Sequence, residues 1–274
     1  MGRLVFLDTN AFRYFGIAFR DVGLSDCLRD NILVSPLSAF EVFAQLADET
    51  DGDKVLGQFR AIRNWTNPQR TGLLPWPDDM LNQLWFQRPT KDDEFRKRME
   101  EQFNDCLAAD SISALKEEAV KHRQVMDRFK LAAAQSFKDM IDLARGEKKK
   151  TVDIEEAWFR GVAKRAHAKP ESKSMSEVIT MLSAYFEFEQ KKLKTALMSA
   201  HYNPLSRVNQ NDIIDSEQLI YLGDTSLCML TADKGFSRKV TESEQRARIV
   251  TASVSDLESA RKAEGVLAKA VLLG

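Results

Sequence analysis

The chain is poor in the residues that staple or ligate. Its 274 residues include three cysteines and three histidines. Cys27, Cys106 and Cys228 lie far apart with no CxxC pair, which excludes a disulfide framework and reads as reduced, mostly buried thiols of a cytoplasmic protein. His122, His167 and His201 are equally scattered, which argues against a zinc site. No uncharged apolar run reaches the ~18 residues a membrane-spanning helix needs. The N-terminal apolar stretch meets Asp8 too soon for a signal peptide, and Phe6 breaks the myristoylation pattern after Gly2. Net charge is also missing: 40 Lys+Arg against 41 Asp+Glu leave −1. This excludes a globally basic nucleic-acid binder but not a local basic surface. What the chain does have is 43% hydrophobic residues, enough for a real core, and about 1.8 times the ~150-residue length of one domain.

The order of apolar runs gives the architecture. Residues 3–7 form a short, largely apolar run ended by Asp8-Thr9-Asn10, as expected of a buried parallel strand. Helical spacing of Phe12, Phe15 and Phe19 follows. A second buried strand is read over 31–34. Ser35-Pro36 then supplies an N-cap and a Pro at N1 for a helix over 36–48, and another helix is read over 53–65. Residues 66–78, with Pro75-Trp76-Pro77, read as a loop. From 88 to 202 strand signals vanish. Phe95, Met99, Phe103 and Leu107 keep a helical spacing, and Ile112 to Ala144 keep a 3.6-residue period, which predicts a helix roughly 50 Å long. Asp153-x-x-Glu156 and Ser174-x-x-Glu177 resemble capping boxes, the second opening a helix to about 200. Strand–helix alternation then returns, with a helix at 212–222, strands at 226–231 and 247–251, and a last helix at 255–272. The expected fold class is therefore α/β around a central parallel sheet, with residues 1–87 and 203–274 forming one domain interrupted by an all-helical insertion, 88–202.

Two of the strand-like runs end in acids, Asp8 and Asp233. Ligands of open parallel sheets bind outside the carboxyl ends of the strands. Glu41 and Asp215 fall in early turns of helices near that edge, and Asp212, three residues before Asp215, shares its face. Carboxylates crowded together repel, and a hard divalent cation relieves that repulsion. Mg²⁺ and Mn²⁺ take oxygen ligands and suit phosphodiester hydrolysis.

These residues carry a resemblance. Phe6-Leu7-Asp8-Thr9-Asn10 resembles the opening motif of the PIN-domain family of metal-dependent ribonucleases. The helix Ser35 to Val42, bearing Ser38 and Glu41, is similar to that family's second motif. Asn211-Asp212-Ile213-Ile214-Asp215 resembles the third, and Leu230-Thr231-Ala232-Asp233-Lys234-Gly235-Phe236 the fourth. The resemblance covers about 1–87 and 203–274, and the insertion departs from it. It implies a three-layer α/β/α PIN-like domain that cleaves RNA with Mg²⁺ or Mn²⁺. Asp8, Glu41, Asp215 and Asp233 would be catalytic metal ligands, with Asp212 an auxiliary acid or the N-cap of its helix. Thr9, Asn10, Ser38 and Thr231 would hold waters, orient ligands or cap helices. One member type is the toxin of a bacterial toxin–antitoxin pair, in which an antitoxin would shield the acidic crest.

Bland readings stand beside these. Strand-end Asp and Thr residues often only start turns, and Glu is commonly a solvated helix residue. The insertion's basic residues, Lys148, Lys149, Lys150, Arg160, Lys164 and Arg165, would contact RNA phosphates or simply form a solvated helical face. His122, near the apolar stripe of the long helix, reads as structural. The insertion would restrict access, form a homodimer or bind the partner. The rival functions are a DNA or structure-specific nuclease on the same fold and a catalytically silent nucleic-acid- or protein-binding PIN-like domain. A haloacid-dehalogenase-like phosphatase ranks low because Asn10 stands where that chemistry wants an acid.

Overall fold

In the computed structural model, residues 3–19, 30–52, 54, 55, 57, 72–88, 101, 111–147 and 151–272 are described. The helices read over 53–65 and 91–107, together with Cys27, Cys106 and Lys148–Lys150, lie wholly or largely outside them. Five parallel strands form one sheet: β1 (Leu4–Leu7), β2 (Ile32–Val34), β3 (Gly72–Leu73), β4 (Leu227–Thr231) and β5 (Ile249–Thr251), in the order β3-β2-β1-β4-β5. β1 is central, pairing Leu7 with Val34 on one side and with Leu230 on the other. The chain steps outward from β1 through β2 to β3, then returns to β4 on the opposite flank. The order therefore reverses between β1 and β4, the kind of crevice where open parallel sheets take ligands.

Alternation along the strands creates a core on each face. Val5, Leu7, Cys228 and Leu230 face one cluster, while Phe6, Leu227 and Met229 face the other. The first is closed by α1 (Thr9–Ala18), α2 (Pro36–Gln45), the N-terminal half of α4 (Ile112–Glu147), and the C-terminal pair α10 (Val254–Leu257) and α11 (Ala260–Leu272). The second is closed by α3 (Pro77–Phe86), α5 (Thr151–Arg165), α6 (Met175–Met181) and α7 (Ser183–Met198). α8 (Arg207–Leu219) runs into β4, and α9 (Lys234–Lys239) leaves it.

α4 is the long helix the periodicity predicts, 36 residues or roughly 54 Å. It links two environments. Leu115, Ala119 and Met126 pack with α2 in the first core, while Phe137 and Ile141 pack against Leu193 and Ala196 of α7. The segment between the second and third motifs is thus woven into the same cores as the sheet. His122 is buried in this packing, its ring within 5.0 Å of Phe40 and 4.6 Å of Phe43 and its Nδ1 2.9 Å from the Glu118 carbonyl. Burial holds its pKa down.

Several element readings change. The loop at 66–78 contains β3 and the start of α3. A two-residue strand among prolines carries no periodicity to read. The helix expected from 174 to 200 opens with the capping box at Ser174 and Glu177 but breaks at Leu182. There the Gln245 side chain enters the ladder, its Oε1 accepting from Ala184 N–H at 3.0 Å and its Nε2 donating to the Met181 carbonyl at 2.7 Å. α5 begins at Thr151, so Asp153 lies inside its first turn and is not the cap. The last helix divides into α10 and α11.

Candidate metal centre at the carboxyl edge of the sheet

Parallel pairing delivers the two strand-end acids to one place. Asp8 follows β1 and is the N-cap of α1, its Oδ1 accepting from Ala11 N–H at 2.7 Å. Its other oxygen accepts from Thr231 Oγ1 at 2.6 Å. Thr231, fully buried at the end of β4, also accepts from Asp233 N–H at 2.8 Å. One hydroxyl therefore couples the two acids across the switch point. Asp233 caps α9, accepting from Gly235 N–H at 2.6 Å. So each strand-end acid caps a helix, where the bland reading has it start a turn, yet each keeps lone pairs to spare, since a carboxylate has about four acceptor sites.

Ser38 fixes the second motif. Its Oγ donates to the Leu7 carbonyl at 2.9 Å and ties α2 to the end of β1. Glu41 lies one turn further on the same face of α2. Thr9 Oγ1 donates to Glu41 Oε2 at 2.7 Å. Asn10 is exposed.

The third motif sits differently from its sequence reading. α8 starts at Arg207, with the Ser206 side chain as N-cap accepting from Asn209 N–H. Asp212 is therefore inside the helix and not its cap. Residues 207–211, with Val208 their one apolar member, carry no periodicity to reveal the extra turn. Asp212 Oδ1 accepts from Lys239 Nζ at 2.5 Å. Asp215 faces the other acids. Among the described residues no donor or cation pairs with its side chain, and its pKa is pushed well up by burial and by the charges of Asp212, Asp233, Glu41 and Asp8. Burial, together with Asp233 and Glu41, likewise lifts Asp8 to about 7, against the opposing hydrogen bonds from Thr231 and Ala11. Asp212, Asp233, Glu41 and Asp8 therefore all lie within electrostatic reach of Asp215.

Sequence reasoning missed two groups here. Lys130 of α4 is buried, and its Nζ lies 2.5 Å from Glu41 Oε1 and 3.1 Å from Asn211 Oδ1. In the sequence it is one lysine among many on a helix. Gln218 of α8 is 1% exposed, and its Nε2 is 3.4 Å from Thr9 Oγ1 while its Oε1 is buried without a partner. A cleft of about 340 Å³ opens beside Glu41 and Lys130, lined also by Arg13, Arg123 and Arg207. Arg123 pairs with Asp48 at 2.7 Å. Buried polar atoms of Arg13 and Gln45 in its wall, Nε and Oε1, have no partner.

Of the basic residues read as phosphate contacts or as a solvated face, Lys148–Lys150 lie outside the described residues. Arg165 is engaged by protein partners, its guanidinium binding Asp78 at 2.7 Å and Glu217 through two nitrogens, which corrects its reading as part of a solvated phosphate-binding face. Arg160 pairs with Glu156 one turn away on an exposed surface, and Lys164 is exposed.

No family model, curated protein or solved structure matches this chain. Among the described residues no three His, Cys, Asp or Glu side chains are drawn tightly enough together to hold a metal ion as they stand. Lys130 and Lys239 hold two of the acids, Glu41 and Asp212. The donor set nevertheless fits a hard cation: all oxygen, partly buried, with an acid that has no counter-charge. Among the described residues no helix is long and apolar enough to cross a membrane.

Proposed function

We propose that this edge is the catalytic centre of a divalent-metal-dependent ribonuclease on a PIN-like α/β/α domain. The observation that carries the reading is Asp215, an unpaired carboxylate held among four other acids where the strand order reverses. Its side chain is only half-buried, and no donor or cation among the described residues meets it, which leaves its oxygens open to a ligand. Asp8, Asp215 and Asp233 have the oxygens to hold Mg²⁺ or Mn²⁺. Such an ion acidifies water and offsets charge at the phosphoryl group. The chain itself does the rest. Thr231 fixes the Asp8 carboxylate, Ser38 docks α2 on β1, and the capped N-terminus of α1 holds Asp8 in place. For RNA as substrate the neighbouring cleft offers Arg13, Arg123 and Arg207, each of them already paired with an acid, Arg13 with Glu49 and the other two with Asp48. An antitoxin-like inhibitor covering the acidic edge fits the same reading.

A second reading, the catalytically silent binding domain, is favoured by one observation: lysines already occupy Glu41 and Asp212. Cleavage of end-labelled RNA, single-stranded DNA and flap DNA with EDTA, Mg²⁺ or Mn²⁺ separates the two. The ribonuclease reading predicts metal-dependent cutting of RNA, lost in Asp8→Asn and Asp215→Asn. Cutting confined to DNA would select the DNA nuclease, and no cutting of any substrate would leave the silent domain.

A further inference from the structure

We infer that a second cavity, lined by none of the acids of the sheet edge, binds a guanine base. This cavity of about 380 Å³ lies between α4, α5, α7 and α8, within the ~300–1,000 Å³ of small-molecule sites. Its walls are largely aromatic: Trp76, Phe129, Phe137, Trp158 and Tyr185. Flat faces of this kind take a base by stacking. Two charged side chains of α7 stand among them, Glu189 and Lys192. They are 8% and 5% exposed and pair at 2.8 Å, and Lys192 Nζ also lies 4.3 Å from the centre of the Phe137 ring. Among the described residues neither has another hydrogen-bonding partner.

A structural role does not account for this pair. In the same wall Arg165 joins Glu217 and Asp78, and so ties α5, α8 and α3 together. Glu189 and Lys192 stand on one helix, and their bond joins no two elements. Burying such a pair costs desolvation. The Glu189 carboxylate, with about four acceptor sites, has one in use. The pair therefore offers a donor beside an open acceptor within an aromatic cavity. An anionic ligand would meet Glu189 and a cationic one Lys192, so an uncharged, flat ligand with a neighbouring acceptor and donors fits. On its Watson–Crick edge guanine presents the O6 carbonyl beside two donor groups, N1–H and the N2 amino group. The other three bases carry a single donor group there. Lys192 would serve O6 and Glu189 the two donors. The inference needs no chemistry at the acid edge, so it stands or falls apart from the nuclease reading.

Trp76 and Trp158 line the cavity and report on it. GMP and AMP are titrated into the full chain in EDTA, followed by tryptophan fluorescence and calorimetry. A uridine hexanucleotide carrying one guanine, and the same hexanucleotide with adenine in its place, distinguish a free nucleotide from a base in RNA. The expected result is saturable binding with guanine preferred over adenine by at least ~10-fold, as the free nucleotide, in RNA or in both. Ala133→Phe fills the cavity and removes no partner, and it should abolish binding. Glu189→Gln replaces half of the acceptor with a donor, and it should erase the preference for guanine. Equal affinity for guanine and adenine, no binding of either guanine probe at millimolar concentration, or undiminished binding in Ala133→Phe would overturn the proposal. The wild-type preference decides the matter even if Glu189→Gln does not fold.

Discussion

Asp215 and Glu217 stand two residues apart on α8 and meet opposite fates. Glu217 turns to Arg165, which binds both its oxygens and takes Asp78 as well. Asp215 turns to the sheet edge, where the charges of Asp212, Asp233, Glu41 and Asp8 act on it and no cation among the described residues does. Both environments remove charge from water, but one returns a complete set of partners and the other does not. A buried ionic network whose members are all satisfied holds elements together, here α3, α5 and α8. One left incomplete stores repulsion that only a bound cation or a proton relieves. The contrast separates two sides of the same helix, one that ties elements together and one that faces the acid edge.

Substitutions break this contrast in opposite directions. Asp215→Asn is expected to lower RNA cleavage by roughly 10³–10⁴-fold, since a metal ligand contributes several kcal/mol to the transition state and each 1.36 kcal/mol is tenfold. Single-turnover rates at saturating Mn²⁺ measure it. Arg165→Met should act on stability instead, costing about 3–5 kcal/mol because Glu217 and Asp78 lose their cation. Urea unfolding checks that figure, and Mn²⁺ binding by the folded fraction should be unaltered.

The pH dependence carries the same opposition. Asp8 titrates at about 7 against an ordinary 3.8. Its neutral form is the one that suits the metal-free fold, so its contribution is full below about pH 4 and is lost as pH rises through 7. Glu187 runs the other way. Burial raises its pKa, but hydrogen bonds from Lys191 and from the backbone N–H groups of Thr241, Ser243 and Glu242 outweigh that and hold it at about 2, against 4.5. Its contribution is present above pH 4.5 and lost as pH falls toward 2. Metal-free protein should therefore melt highest near pH 4–5 and progressively lower toward pH 8, and Asp8→Asn should flatten the upper limb. Scanning calorimetry with EDTA across that range follows both limbs. The smallest effect belongs to Arg160→Ala. Its exposed pair with Glu156 is worth no more than ~0.5 kcal/mol, and the urea midpoint should barely move.

Much of this arrangement is written locally in the chain. β1, β2 and β4 and the long α4 follow from apolar runs and periodicity, and strand ends place Asp8 and Asp233 because parallel strands share one carboxyl edge. What escapes is set by distant contacts. Lys130 is one cation among many until α4 packs on α2 and brings it to Glu41. Arg165 reads as a surface charge until Glu217 arrives from α8. The break at Leu182 depends on Gln245, far along the chain, and the early start of α8 depends on Ser206 and a polar turn with no hydrophobic signature. Local periodicity shows elements, but which charges find partners is decided only when the elements meet.

The most direct test of the central claim is the melting temperature at pH 8 with and without Mn²⁺, for wild type and Asp215→Asn. If the acid edge is an incomplete site awaiting a cation, Mn²⁺ raises the wild-type melting temperature by linkage. Asp215→Asn then melts higher than the metal-free wild type and gains nothing from Mn²⁺. Equal responses of the two proteins to Mn²⁺, or a variant less stable than the metal-free wild type, would contradict it.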